Sequence, residues 1–200
     1  MKLFIISSYY PPQESAVGDY VMCLGGVLSE YNIQVEVLTS QHSQRILSKN
    51  KLKIIENPLG WGIRGVVRIT QVIKQNQPDI INLQYVPQMY NRFGITLYVA
   101  LLPLILRIVS KITVITTCHQ FIATPAQNFK DIILQAIYNV QIFLLLIGSH
   151  RIVVPSETQL SFLKNSFLGL IKGGFDRITH KKSIQRKHPR EKIIPRSGKA

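Results

Sequence analysis

The chain has 200 residues, of which 46% are hydrophobic and 17% charged, with 24 Lys+Arg against 10 Asp+Glu for a net charge of +14. That length bounds the protein to one domain of comfortable size, or one with a short appendage, and the apolar content excludes general disorder. The charge is uneven: residues 1–165 hold 14 basic and 8 acidic side chains (+6), and residues 166–200 hold 10 and 2 (+8).

Lys2 to Ser7 (KLFIIS) is a short β-rich run that stops at Tyr9-Tyr10-Pro11-Pro12, which predicts a strand and then a loop. Its apolar part is far shorter than the roughly 7–15 residues of a signal-peptide core. A helix follows from about Gly18 to Glu30, with Val21, Leu24, Val27 and Leu28 at helical spacing around Gly25-Gly26. Gln34 to Thr39 alternates apolar with polar and predicts a second strand, and Lys51 to Ile55 a third. Val66, Val67, Ile69, Val72 and Ile73 put an apolar face on a helix over 63–76, ended by Pro78. Asp79 to Leu83 is then a buried strand.

The alternation continues with an apolar helix near 95–110, a strand Ile112 to Thr117, a helix near 130–146 and a strand Arg151 to Val154. Ser156 is the expected N-cap of a further helix, and that role alone accounts for it. From Lys172 the pattern fails, and no further packed element is placed there. The expected architecture is α/β, a Rossmann-like parallel sheet with helices on both faces, over residues 1–171, followed by a basic, poorly ordered tail over 172–200. No internal repeat is present.

Two segments resemble membrane spans. Ile95 to Leu106 has about 12 residues where a span needs roughly 20, and contains Pro103. Ile132 to Ile147 is interrupted by Gln135, Asn139 and Gln141. Both read as buried or interfacial helices, with direct bilayer contact as the alternative. Cys23 and Cys118 make no disulfide framework, and no Cys/His cluster has zinc spacing, so no metal is expected and a reducing, cytoplasmic setting fits.

Ligands of such sheets bind outside the carboxyl ends of the strands. Gly18, at the start of the first helix, suits a phosphate or diphosphate site, since free backbone N–H groups and the positive end of the dipole gather there; a single glycine before a helix is more often only a turn residue. Neither GxGxxG nor GxxxxGK[ST] occurs, which weakens the phosphate signal and argues against a stand-alone dehydrogenase. Asn82-Leu83-Gln84-Tyr85 could line a polyol site by hydrogen bonding and stacking, or form an ordinary loop. After the next strand, Cys118 and His119 point to opposite faces if the extended backbone continues, which disfavours a Cys-His dyad between them. His119 is the candidate for contacting a substrate hydroxyl, or else a structural histidine.

Taken in order, SSYYPPQESAVGDYVMCL, PDIINLQYVPQMY, ITVITTCHQF and HRIVVPSETQ resemble the N-terminal, acceptor-side domain of family-4 retaining glycosyltransferases of GT-B fold. The resemblance covers about residues 1–165. It implies transfer of a hexosyl group from a nucleotide-sugar co-substrate to a glycan or lipid-linked acceptor, without a metal. It implies that Gly18 approaches the donor diphosphate, that His119 contacts the transferred sugar, and that Tyr10, Gln84 and Tyr85 lie on the acceptor side. Val17 stands where a second loop glycine is common. The donor-binding domain of such enzymes has no counterpart in these residues, so a truncated product or one subunit of a split enzyme is expected, inactive alone, with a separate donor-domain chain as partner. The competing reading is a non-catalytic module at the membrane surface, peripheral at the inner face, using the basic tail and the apolar helices. Specific nucleic-acid binding is not expected, because Phe175 is the only aromatic residue after Phe167.

Overall fold

The computed structural model describes residues 1–40, 52–120, 128–167 and 178–180. Within them the elements are β1 (Lys2–Ile6), α1 (Ala16–Glu30), β2 (Gln34–Ser40), β3 (Lys53–Asn57), α2 (Ile63–Asn76), β4 (Ile80–Tyr85), α3 (Pro87–Tyr90), α4 (Leu97–Ser110), β5 (Thr113–Cys118), α5 (Phe129–Gly148), β6 (Arg151–Val154), α6 (Glu157–Phe167) and β7 (Ile178–His180). The strands form one parallel sheet in the order β3-β2-β1-β4-β5-β6-β7. This is the expected Rossmann-like α/β architecture. The order reverses between β1 and β4, which makes the crevice beyond their carboxyl ends the natural ligand site.

Alternation along the strands divides the core in two. Leu3, Ile5, Val35 and Val37 turn to one face and pack under α1 through Val21. Phe4, Ile6, Ile81, Leu83 and Val114 turn to the other, beneath α2, α4 and α5. Such strands are buried on both faces, hence their nearly unbroken Ile, Val and Leu. Glu36 is the exception, a buried carboxylate neutralised by Lys2 Nζ at 3.1 Å and Lys53 Nζ at 3.4 Å.

Several boundaries differ from the sequence expectation. Helix α1 begins at Ala16, two residues before Gly18, because Ser15 caps it by accepting from the Gly18 N–H at 3.4 Å; such a cap stabilises a helix by about 1 kcal/mol. Strand β4 runs on through Gln84 and Tyr85, held by pairing with Thr117 and Cys118 of β5. Helix α4 passes through Pro103 without ending. Its neighbour there is Gly148, where an added Cβ would lie 2.4 Å from Leu104 N, so the two helix backbones approach more closely than any side chain would allow. The short α3 was not anticipated. Neither was β7, which lies beyond Lys172 and pairs with β6, so the sheet continues past residue 171. Three residues carry no periodic signal. Lys51 and the remainder of the 172–200 tail fall outside the described residues.

Candidate functional site

Parallel pairing sets Gln84 beside Thr117 and Asn82 beside Ile115, on the sheet face that carries Leu3 and Ile5. Asn82 and Gln84 are two residues apart, so both project to this face. Gln84 Nε2 donates to Asn82 Oδ1 at 2.7 Å, and Thr117 Oγ1 donates to the same oxygen at 3.1 Å. With its amide nitrogen engaged, Gln84 turns Oε1 to His119, whose Nε2 lies 2.6 Å away. An amide oxygen only accepts, so Nε2 carries the proton. The backbone N–H of His119 donates to Tyr85 O at 3.0 Å, extending the ladder one residue past β5. The ring also meets Tyr20 of α1 edge-on, with centroids 5.2 Å apart. Strand pairing, a fixed amide and an aromatic edge thus set the imidazole from three directions.

The ring opens on a cavity of about 260 Å³ lined by Ala16, Tyr20, Thr117, His119, Val153, Val154 and Pro155. Among the described residues its wall combines hydroxyls, an imidazole and apolar surface, with no Lys or Arg, a lining that suits hydrogen bonding to a polyol. Ala16 brings the first turn of α1, and so the positive end of that helix, to the edge of the cavity. Among the described residues, no group of three or more His, Cys, Asp or Glu could hold a metal ion.

Of the residues proposed from sequence, Gln84 and His119 meet. Gly18 is not among the residues that line the cavity; its N–H is engaged by Ser15, and a Cβ in its place would rest in ordinary contact, 3.4 Å from Tyr10 Cα. Tyr10 is buried in the core under α1, and among the described residues its hydroxyl has no partner. Tyr85 faces the opposite side of the sheet from Gln84. Its hydroxyl bonds to Thr96 Oγ1 at 2.9 Å, and burial pushes its ionisation far above the ordinary tyrosine range. Cys118 is buried in that same core, across the sheet from His119, with its thiol pushed far up by desolvation. Asn82 was read only within its strand string, and Thr117 and Tyr20 were not singled out. The period-2 relation to Gln84 pointed to Asn82, whereas Thr117 and Tyr20 required the strand register and the helix placement.

The fold and site define a Rossmann-like α/β domain with a cleft at the carboxyl ends of its central strands. Among solved structures, the chain is similar to a glycosyltransferase from Rickettsia africae ESF-5, with a TM-score of 0.51 and 17% sequence identity over 90% of this chain. The chain spans 42% of the length of that structure. No protein-family model and no curated protein matches it.

Proposed function

We propose that this domain is the acceptor-side half of a retaining, family-4-type glycosyltransferase of GT-B fold, moving a sugar from a nucleotide-sugar donor to a glycan or lipid-linked acceptor. The observation that carries the reading is the chain Thr117–Asn82–Gln84–His119, a set of fixed hydrogen-bonding groups at the mouth of a cavity in a glycosyltransferase-like fold. In this role the Gln84 contact holds His119 in one rotamer and tautomer, and the imidazole with Thr117 orients sugar hydroxyls. Pre-set orientation of this kind is a main source of rate in group transfer.

Departure of a nucleoside diphosphate also needs its charge stabilised in a dry, closed cleft. Among the described residues, the cavity offers the first turn of α1, through Ala16, for that purpose. Under this reading a second, donor-binding domain completes the cleft, and this chain alone does not catalyse transfer.

The test is titration of the chain with mono- and oligosaccharides, followed by nuclear magnetic resonance. Weak binding that perturbs His119 and Thr117 and weakens about tenfold in His119→Ala, the loss of one or two hydrogen bonds, is expected. Unchanged binding by His119→Ala would sink the site assignment. Sugar transfer by the purified chain above the His119→Ala background would overturn the incomplete cleft.

A further inference from the structure

The strand register sorts the cavity floor by chemistry. Gln84 of β4, Thr117 of β5 and Val153 of β6 pair side by side, so they share one face of the sheet and stand in a row across the carboxyl ends of the strands. The first two are polar and fixed by hydrogen bonds, Gln84 to Asn82 and His119, and Thr117 to Asn82. The third is valine. One strand spacing, about 4.8 Å, therefore separates a held hydroxyl from a branched hydrocarbon.

The rest of the lining follows the same division. Strand β6 and its exit contribute Val153, Val154 and Pro155, none with a polar side chain. Val153 pairs with Thr117 of β5 on one side and Thr179 of β7 on the other, so the backbone of β6 serves the ladder there rather than a ligand. Pro155 adds an exposed ring, and its nitrogen has no proton to donate. Val153 is only half-buried, which leaves its methyl groups open to the cavity.

A wall divided in this way discriminates between substituents. Thr117 Oγ1 gives its proton to Asn82, so toward a ligand it only accepts, and it takes a sugar hydroxyl as donor. A pyranose ring anchored there extends across to Val153 and Pro155. A hydroxyl on that far edge loses water without gaining a partner, whereas a methyl group there gains burial. The volume, about 260 Å³, lies just under the range of roughly 300–1,000 Å³ that holds whole ligands, so the cavity takes one ring and its substituents.

We propose that this cavity selects a sugar bearing a methyl group, on a 6-deoxy ring or in an acetamido substituent, with a ring hydroxyl on Thr117 and the methyl against Val153 and Pro155. The proposal rests on the glycosyltransferase reading and narrows the sugar that this domain recognises: a fully hydroxylated hexose is the poorer ligand.

Matched pairs of free sugars test it, by nuclear magnetic resonance titration of the full chain. L-fucose and L-galactose differ by methyl against hydroxymethyl, and N-acetylglucosamine and glucose by acetamido against hydroxyl. The methyl-bearing member binds about tenfold more tightly in at least one pair, and the pair that discriminates tells the 6-deoxy source from the acetamido one. Nuclear Overhauser contacts join its methyl protons to those of Val153. Val153→Thr keeps the shape, puts a hydroxyl on the wall and removes the preference. Val153→Ala weakens the methyl-bearing sugar and leaves its hydroxylated counterpart unchanged, and unfolding midpoints of both variants check that the fold persists. Equal affinity within both pairs would overturn the proposal while leaving the polar site standing. So would a preference that survives in both Val153 variants. Absence of binding by every sugar would overturn it together with the reading on which it rests.

Discussion

His119 Nε2 lies 2.6 Å from Gln84 Oε1, a hydrogen bond that joins the carboxyl ends of β5 and β4 across residues 35 apart in the chain. Its acceptor is fixed one step further back, where Gln84 Nε2 donates to Asn82. With Gln84 Oε1 as the acceptor, Nε2 is the donor of this bond. Nitrogen-15 chemical shifts of the ring check this, and a protonated Nδ1 with bare Nε2 would contradict it. Gln84→Leu leaves Nε2–H without its partner in a half-buried site, lowers stability by about 1–3 kcal/mol and weakens sugar binding. Chemical unfolding and titration read the two effects separately.

Gln141 is a clamp between the 94–96 turn and α5. It serves Gly94 O at 3.1 Å and Thr96 Oγ1 at 3.0 Å, and it also accepts from the Thr96 N–H. Gln141→Leu keeps the volume and strands those groups in the core, so a loss of about 2–3 kcal/mol is expected. Amide exchange at Gly94 and Thr96 rises with it. A variant as stable as the unmodified chain would show that the clamp contributes nothing.

Gly148 is required by contact between backbones. A methyl group there meets Leu104 N at 2.4 Å and Pro103 C at 3.0 Å, and no side chain can move aside to make room. Gly148→Ala is expected to cost about 1–3 kcal/mol despite the gain in helix propensity. A raised melting temperature would refute this account of the α4–α5 contact.

The two thiols should separate cleanly. Cys23 is exposed, whereas Cys118 is buried and desolvation raises its pKa. A thiol reagent at pH 8 modifies one cysteine per native chain and two after denaturation. Rapid native modification of both would contradict the burial of Cys118.

Burial raises the ionisation of Cys118, Tyr85 and Tyr90 above their ordinary values of 9.0, 10.0 and 10.0. Above those values the unfolded chain loses protons that the folded chain keeps, so folding stability is present in full below about pH 9 and falls as pH rises. Each group contributes a slope of up to about 1.4 kcal/mol per pH unit in that window. Denaturant midpoints between pH 8 and pH 11 test the sign.

The alternation of Ile- and Val-rich runs with apolar helices determined the parallel α/β architecture on its own, because strand and helix periods are properties of neighbouring residues. The same local logic put His119 and Gln84 at strand ends and Cys118 on the face opposite His119. It could not reveal that Gln141, which interrupts an apolar run, is a buried clamp, or that Tyr85 lies in the core with Thr96. Nor could it pick out Thr117 and Tyr20 as neighbours of His119, since that depends on the β4–β5 register and on where α1 crosses the sheet. Composition showed that α5 is apolar. Only tertiary packing decided which of its sides the protein buries, since the side with Gln141 is buried while Ile132 and Val140 stay exposed, the reverse of the local polarity signal.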